Sequence, residues 1–336
     1  MTRPGFKLGV VLLAIAFLSN SVSTSARVPD FGKPRQACSD PTNQISLFAE
    51  RLGRNRVGYG RTPHTAQIPG PTITMTEGDC LAINLVNDTN RPVSLHVHGV
   101  AYSPASDGTA VNHGCVSPGK SRTYIWRALQ PGTDSNGNVE PGSRGYWPYH
   151  DHCMGGPHGT LGIESGLFGA LIVRAPGDPV PDRPPFVVVM APGITINLRR
   201  APYTPIFRAN LGERVEFVVI GMGDDFHTFH LHGHRWVDNR TGIPSSPTDD
   251  TPVIDNKTIG PAESFGFFTT AGYQVGPGAW MYHCHVQGHS DLGMSGLFVV
   301  RRADGTMTPQ EKRAIARWKK LELEHRRMLS GHSGHQ

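Results

Sequence analysis

Short apolar runs rich in valine, isoleucine and phenylalanine recur along most of the chain, and turn dipeptides such as PG and DG separate them. Runs of this kind predict β-strands, because β-branched and aromatic side chains suit a pleated surface while glycine and proline interrupt it. Two examples are TITMTEGDCLAINLVND, which begins at Thr72, and RVEFVVIG, which begins at Arg214. The pattern predicts an all-β fold for most of the chain.

The two halves of the chain carry the same succession of motifs. LHVHG (residues 95–99) corresponds to FHLHG (229–233), YWPYHDHC (146–153) to WMYHCH (280–285), and GLFGALIVR (166–174) to SGLFVVRR (295–302). The repeat length is about 130 residues, and a proline-rich linker, APGDPVPDRPP (175–185), separates the copies. This duplication predicts two similar β-sandwiches or Greek-key barrels, over residues 27–176 and 177–303.

The first 26 residues have the features of an export signal. Arg3 and Lys7 precede an apolar run over residues 8–18, and the small residues 24–26 offer a cleavage site before Arg27. The run is too short to span a bilayer, and no later segment is long and apolar enough to do so. The sequence therefore predicts a secreted protein without a membrane span. Because twin arginines are missing, the general secretory route is favoured.

The last segment, residues 304–336, has a different pattern. TPQEKRAIARWKKLELEHRRML begins with Thr308 and Glu311 at capping-box spacing, and Pro309 occupies the first helical position. The segment predicts an exposed helix that ends in a loose tail, SGHSGHQ, from Ser330 onwards.

Charge and cysteine content narrow the function classes. The formal net charge of +5 falls to +3 when Arg3 and Lys7 leave with the signal segment. A dispersed charge of that size does not support nucleic-acid binding. The chain has five cysteines. In an exported protein four of them can form two disulfides in any of three connectivities: Cys38, Cys80, Cys115 and Cys153.

Four pairs of histidines occur at x–His–y–His spacing, two in each repeat. In a strand, residues i and i+2 point to the same face, so each pair presents two imidazoles side by side. A single pair is more often a packing or surface feature, but four pairs in register with a duplication indicate a multi-metal site at the seam of the two domains. With Asp151 as the only interleaved carboxylate, the donors suit copper better than magnesium or calcium. The pairs are His96/His98, His150/His152, His230/His232 and His283/His285.

The stretch YHCHVQGHSDLGM (residues 282–294) contains the fifth cysteine. Cys284 lies between two histidines and therefore points to the opposite face of their strand. Together with His289, Met294 and the upstream His227 it can form a site of two histidines, one cysteine and a weak axial methionine, which is typical of electron-transfer copper. A buried, inert thiol is the ordinary alternative. A zinc finger would need more sulfur ligands and fewer histidines.

Taken together, HVHG, HDH, HTFHLHGH and HCHVQGHSDLGM resemble the motifs of the multicopper oxidases, and two repeats resemble the two-domain bacterial laccases. The resemblance covers nearly all of residues 69–302. It implies two tandem cupredoxin-like Greek-key β-barrels, here followed by the C-terminal helix. It also implies four coppers per subunit, one of type 1, one of type 2 and two of type 3.

The resemblance assigns the candidate ligands position by position. Type 1 copper takes His227, Cys284, His289 and axial Met294. Type 2 copper takes His96 and His230. The type 3 pair takes His98, His150, His152, His232, His283 and His285.

Three further residues resemble functional positions of the family. Tyr102 corresponds to a tyrosine near type 2 copper, and Asp107 to an acid that helps to deliver protons to reduced oxygen. For Asp107 the alternative is a turn-forming aspartate in SDG. Asp255 is a second candidate for a proton relay.

Several positions depart from the family pattern. Asp151 stands in the first repeat where the second has Cys284, so the first domain is expected to lack type 1 copper. Phe226 replaces a tyrosine found in some relatives. His158 and His234 have no ligand position and are expected at the surface or behind the ligands.

The resemblance implies a secreted laccase that oxidises phenols or aromatic amines near His289 and reduces O2 to water. It also implies a homotrimer in which neighbouring subunits share each trinuclear cluster. A metallo-oxidase acting on Cu(I), a copper nitrite reductase and a copper carrier are the alternatives. A nitrite reductase of this architecture has its type 1 copper in the first domain, which Asp151 disfavours.

Overall fold

The computed structural model of the protein describes residues 38, 40–134 and 136–332. The predicted signal segment and the mature N-terminus near Arg27 lie outside the described residues, as does the end of the predicted tail. The first repeat forms β1 (Asn43–Arg51), β2 (Val57–Gly60), β3 (Ile73–Thr76), β4 (Cys80–Asn87), β5 (His96–Val97), β6 (Ser121–Arg127), β7 (Gly132–Thr133), β8 (Val139–Glu140), β9 (Gly145–His150), α1 (Thr160–Ser165) and β10 (Phe168–Arg174), with a 3-10 turn at Pro104–Ser106.

The second repeat has the same kind of strand succession. It forms β11 (Phe186–Ala191), β12 (Thr195–Ile196), β13 (Ile206–Asn210), β14 (Arg214–Gly221), β15 (His227–Leu231), β16 (Trp236–Val237), β17 (Val253–Ile254), β18 (Asn256–Ile259), β19 (Ser264–Thr270), β20 (Gly278–Cys284), α2 (Gln287–Asp291) and β21 (Ser295–Arg301), and α3 (Pro309–His332) follows.

Each repeat folds into two sheets packed face to face. In the first, the strand orders are β2-β1-β4-β6 and β3-β10-β9-β5; in the second they are β12-β11-β14-β19 and β13-β21-β20-β15-β18. Two short ribbons, β7-β8 and β16-β17, lie outside these sheets. Tyr124, Trp126 and Tyr149 belong to the core of the first sandwich, and Phe217 and Phe298 to that of the second. The predicted fold, tandem all-β cupredoxin-like domains with a C-terminal helix, is confirmed.

The interface between the domains explains why some strands are apolar on both faces. Along β10, Leu171 points into the first core, while Phe168 and Ile172 point outward to a separate apolar cluster. That cluster also contains Val218 and Ile220 of β14, whose alternate residues fill the second core. A strand buried on both faces loses the polar alternation of a surface strand. The unbroken apolar runs FGALIV and FVVI are therefore explained by the burial of these strands on both faces.

The C-terminal helix covers the strand of the second repeat that corresponds to β10. Outward-facing Leu297 and Val299 of β21 pack against Trp318 of α3, which is buried. The predicted capping box is present: the Thr308 amide donates to Glu311 Oε2 (2.6 Å), and the Glu311 amide donates to Thr308 Oγ1 (3.1 Å). The helix is thus exposed on its outer face only, because Trp318 anchors the inner one.

One sequence expectation changes with the structure, and one open choice is decided by it. The loose tail does not begin at Ser330, because α3 continues to His332; each added helical residue gains a hydrogen bond once the helix is started. Of the open disulfide connectivities, the structure has Cys38–Cys80 and Cys115–Cys153. Cys284 is a buried free thiol.

Among the described residues, no helix is both long and apolar enough to cross a membrane.

A buried ion pair joins the domains at their interface. Glu216 of β14 is fully buried and accepts hydrogen bonds from Arg174 Nη1 (2.9 Å) and Nη2 (2.6 Å) and from the Tyr146 hydroxyl (2.9 Å). Arg174 and Tyr146 belong to the first domain. Because a buried charge needs its partners, this network ties the orientation of one domain to the other.

Glu216→Gln is expected to lower the free energy of unfolding by about 3 kcal/mol, because it leaves the Arg174 guanidinium without its counter-charge. Chemical denaturation of the purified protein measures this change. The matched control is Glu324→Gln, which breaks the exposed Lys320–Glu324 pair on α3 and should cost less than about 1 kcal/mol. Equal effects of the two substitutions would contradict a structural role for the network.

Candidate metal centres

The first histidine cluster consists of the two pairs of the first domain. β5 and β9 are antiparallel neighbours, and their register places His96 directly opposite His150. The cross-strand pairing and the two-residue strand period together bring four imidazoles to one place. The ring centroid of His96 lies 5.3 Å from that of His98, 5.3 Å from that of His150 and 5.0 Å from that of His152.

The second histidine cluster repeats this arrangement in the second domain. Its members are His230, His232, His283 and His285, and the register of β15 and β20 places His230 opposite His283. His232 Nε2 lies 3.2 Å from His283 Nε2, and in the first cluster His98 Nε2 lies 3.2 Å from His150 Nε2. The two clusters are therefore structural copies of each other.

Most of these imidazoles have one ring nitrogen committed to the main chain. Nδ1 of His96 donates to the Asp107 carbonyl (2.7 Å), and Nδ1 of His230 donates to the Asp255 carbonyl (2.8 Å). Nδ1 of His150, His152 and His283 also donates to a carbonyl oxygen. A ring that donates through Nδ1 carries its lone pair on Nε2, as metal-ligating histidines usually do. The donor set therefore fits bound metal.

Burial favours the neutral form of several of these histidines by lowering their pKa. It lowers the pKa of His98 to about 4 and that of His150 to about 3, and the charges of neighbouring histidines add to the effect. Burial also lowers the pKa of His232 and His283 in the second cluster and of His227 near Cys284. Neutral imidazole is the form that binds a metal ion, so these five histidines are available as ligands at neutral pH.

The cysteine site, His227 with Cys284, His289 and Met294, lies inside the second domain. Cys284 Sγ is 3.9 Å from His227 Nδ1 and 3.6 Å from His289 Nδ1, and the two nitrogens are 3.2 Å apart. Bonds of about 2.0–2.3 Å from one metal to these three donors in a plane would separate them by roughly 3.5–3.8 Å. The arrangement therefore has the dimensions of a three-coordinate metal site.

Met294 is held beside these donors. It is fully buried, its amide donates to the His289 carbonyl (3.0 Å), and its carbonyl accepts from the Cys284 amide (3.0 Å). The Ser290 hydroxyl donates to the Cys284 carbonyl and lies 3.1 Å from His283 Nδ1. Ser290 thus contacts both the cysteine strand and the second cluster. Its proximity to His289 in the sequence was the only signal for this role.

In the first domain, Asp151 stands at the position that corresponds to Cys284, and its side chain binds main-chain amides. Its buried carboxylate accepts amide hydrogen bonds from Ser94 (2.6 Å), Met154 (2.7 Å) and Cys153 (3.1 Å). Burial raises its pKa to about 6 although these three bonds act to lower it. Val93 stands where the second domain has His227. The first domain therefore lacks both the thiol and one of the histidines of the cysteine site.

The remaining candidate residues lie around the histidine clusters. The Tyr102 ring is 5.9 Å from the His96 ring, and Asp107 Oδ1 is 3.5 Å from His96 Nδ1. Burial acts to raise the pKa of Asp107, but hydrogen bonds from Thr109 and Asn112 outweigh it and lower that pKa overall. Burial raises the pKa of Tyr102.

Asp255 occupies the same relation to the second cluster as Asp107 does to the first, with Oδ1 3.7 Å from His230 Nδ1. Its side chain is 61% exposed, against 17% for Asp107. His234 lies behind the second cluster: it is buried, Nδ1 donates to the His232 carbonyl and Nε2 accepts from the Gly272 amide. His158 and Phe226 are exposed. These placements agree with the expected surface or supporting positions of His158 and His234.

The predicted single site at the seam of the two domains is not formed within one chain. Among the described residues, each group of donor atoms that lie within 4.8 Å of one another draws all its members from one domain. The two clusters lie on different sheets that pack against different partners. Each cluster therefore remains half of the predicted set of eight histidines.

Comparison with known proteins identifies the family. Two multicopper oxidase family models match the chain, one over residues 64–178 and the other over residues 180–304. A probable nitrite reductase-hydroxylamine oxidoreductase fusion protein of Kuenenia stuttgartiensis is 32% identical over 265 residues, which cover 72% of this chain and 28% of that protein. Ferroxidase HEPHL1 of Homo sapiens is 27% identical, covering 76% of this chain and 26% of its own length. The chain thus spans about a quarter of these relatives.

Solved structures agree on the fold. The blue copper oxidase from Nitrosomonas europaea superposes with a TM-score of 0.55 and 24% identity, covering 81% of this chain and 94% of that one. The copper nitrite reductase from the same organism gives a TM-score of 0.56 and 18% identity, covering 76% and 93%. With both repeats matched by family models and the donor sets in place, the chain belongs to the multicopper oxidase family, with the size of its two-domain, small-laccase-like members.

Proposed function

We propose that the chain is an exported, laccase-like oxidase that takes single electrons from phenols or aromatic amines and uses four of them to reduce O2 to two waters. The observation that carries this proposal is the geometry of β20. Cys284 points into the cysteine site, while His283 on the other face belongs to the second histidine cluster. An electron that arrives at Cys284 is one residue away from the second cluster along the covalent chain.

The proposed copper ligands form three groups, namely the cysteine site and the two histidine clusters. Copper bound there supplies one-electron transfer at the cysteine site and oxygen reduction at the histidine clusters. The protein holds the donors in place and excludes water: Cys284 and Met294 are fully buried and His227 is 2% exposed. His289 is the more accessible of the two histidines of the cysteine site. We therefore place the reducing substrate against the outer edge of the His289 ring.

The proposed proton-handling residues surround the clusters. Tyr102 and Asp107 contact His96, and Asp255 contacts His230. These contacts, together with the resemblance to the family, support roles in bringing protons to reduced oxygen. The two aspartates make the same contacts with the first histidine of their cluster, because each places a main-chain carbonyl and a carboxylate oxygen near its Nδ1; Asp107 is the more buried of the two.

Two alternatives follow from the relatives. The proteins named as ferroxidases and as nitrite reductases share the family or the fold. Asp151 and Val93 argue against a nitrite reductase with type 1 copper in the first domain. A metal-ion oxidase acting on Cu(I) or Fe(II) differs only in its reductant. Oxygen uptake with a phenol, an aromatic amine, Fe(II) and Cu(I), and nitrite consumption without oxygen, distinguish these activities.

Export is part of the proposal. The two disulfides are typical of proteins that fold in an oxidising compartment. They agree with the signal segment that the sequence predicts.

We further propose that the active unit is a homotrimer. Eight histidines are needed for one trinuclear cluster, but each chain holds its two sets of four apart. Head-to-tail association of three copies into a closed ring would place the first cluster of one subunit against the second cluster of the next. Copper binding and assembly should then stabilise each other.

Cys284→Ser is expected to remove the intense blue absorption and to abolish phenol oxidation, because the thiolate that donates charge to copper is lost. Absorption and electron paramagnetic resonance of the copper-loaded variant measure both centres, and the type 2 signal should remain. Copper content and thermal unfolding serve as controls for folding. A variant that remained blue and active would contradict the assignment of Cys284 as a copper ligand.

Met294→Leu is expected to raise the reduction potential of the cysteine site, because it removes a weak axial donor that stabilises the oxidised metal. Stability should change by less than about 1.5 kcal/mol, since the volume is nearly conserved. The matched control is Met190→Leu in the same core, which should leave the potential unchanged. A redox titration in which Met294→Leu lowers or preserves the potential contradicts the axial role.

Shared clusters predict complementation between inactive variants. His96→Ala/His98→Ala and His283→Ala/His285→Ala, refolded together with copper, should regain partial oxygen uptake, because some interfaces pair two intact clusters. The control mixture combines His96→Ala/His98→Ala with His150→Ala/His152→Ala and should stay inactive, since every first cluster is damaged. An active monomer in sedimentation, or no recovery in the first mixture, rules out sharing.

A further inference from the structure

A cleft between the two domains lies apart from the cysteine site. Its volume is about 310 Å³, and its walls include Tyr146 and Trp147 of β9 and Ser264 and Phe265 of β19. Cavities of this size are at the lower end of those that bind small molecules, and domain junctions are frequent locations for them. The cleft has room for a single aromatic ring with a short substituent.

The aromatic walls of the cleft are held in position. Trp147 Nε1 donates to the Ser143 carbonyl (2.8 Å). The indole also packs on Gly99, where a Cβ atom would lie only 2.1 Å from Trp147 Cδ2. On the opposite wall, the Phe265 ring stacks with Trp236 at 6.3 Å. Fixed rings stack on a ligand ring without first losing conformational freedom, which favours binding.

The charged walls leave one positive charge uncompensated. Arg144 binds Asp178 through two hydrogen bonds, and Lys257 pairs with Asp238. Arg240 is exposed and donates to the Arg144 carbonyl (2.8 Å), but within the described part of the chain it has no carboxylate partner. A guanidinium without a counter-charge is suited to a ligand carboxylate, which can accept two hydrogen bonds from it. Asp238 on the same wall disfavours a second negative charge.

We propose that this interdomain cleft binds a single-ring aromatic monocarboxylate, with its ring between Trp147 and Phe265 and its carboxylate on Arg240. The lining contains no member of the cysteine site, so the ligand is separate from the reducing substrate at His289. A neighbouring cavity of about 490 Å³ shares Trp147 and Phe265 and is lined by His98. The proposed ligand therefore lies next to the first histidine cluster, where its binding can affect access to that cluster.

Isothermal titration of the copper-loaded, full-length protein with cinnamate tests the proposal, and cinnamamide is the uncharged control of the same shape. Cinnamate is expected to bind once per chain and at least about tenfold more tightly than cinnamamide, a difference of about 1.4 kcal/mol. Arg240→Gln should weaken cinnamate at least about tenfold and leave cinnamamide unchanged. Arg208→Gln is the matched control, because Arg208 is also exposed and also donates to a main-chain carbonyl; it should change neither affinity.

A second variant tests the ring contact independently of charge. Phe265→Leu should weaken cinnamate and cinnamamide to the same extent. The proposal is overturned if cinnamate does not bind, if Arg240→Gln binds it as tightly as the unaltered protein, or if cinnamate competes with an aromatic amine for oxidation. Cys284→Ser should keep the cleft intact and bind cinnamate normally. If the unaltered, copper-loaded protein binds cinnamate but oxidises neither phenols nor aromatic amines, the proposed oxidase function fails and the cleft stands.

Discussion

The alternation of side chains along β20 determines the position of the metal ligands in the second domain. Tyr282 and Cys284 point into the core, and His283 points to the opposite face. A shift of one residue in the pairing with β15 would exchange these faces and destroy both sites. The buried Tyr282, whose hydroxyl donates to the Pro205 carbonyl (2.7 Å), makes such a shift costly. Strand register is thus the constraint on which both sites, and the proposed electron transfer between them, depend.

The same constraint has a consequence for assembly. Both histidine clusters lie on the outer faces of their sandwiches, because the inner faces are filled by the cores. The outer face next to the first cluster packs on β14 of the same chain, whereas the corresponding face of the second domain packs on α3. Domain contact within the chain therefore does not bring the clusters together. In the proposed homotrimer, a neighbouring subunit supplies the second set of four histidines.

The interface that joins the two domains also forms the cleft. Glu216, Arg174 and Tyr146 determine the relative orientation of the two sandwiches. β19 approaches β9 so closely that a Cβ atom at Gly266 would lie 2.5 Å from the Tyr146 ring. This close approach places Phe265 across from Trp147. A binding site for an aromatic anion beside the first cluster is thus a by-product of the packing that stabilises the chain.

Much of the site was readable from the sequence because it depends on short-range periodicity. The His-x-His pairs, Cys284 between its histidines and the Thr308 capping box are determined by the geometry of a single strand or helix, which a local pattern reports directly. The contacts of Ser290 with His283 and of Asp107 with His96 depend on how the chain folds back after a strand, which strand periodicity does not report. The choice among the disulfide connectivities depends on how segments about 40 residues apart pack. Likewise, Arg144, Trp147, Arg240 and Phe265 are separated by up to about 120 residues, and no local pattern connects them. The sequence by itself determined which residues can bind metal and on which face of a strand they lie; the tertiary structure decided that the two clusters stay apart and that a cleft opens between the domains, because both depend on the burial of apolar faces between elements far apart in the chain.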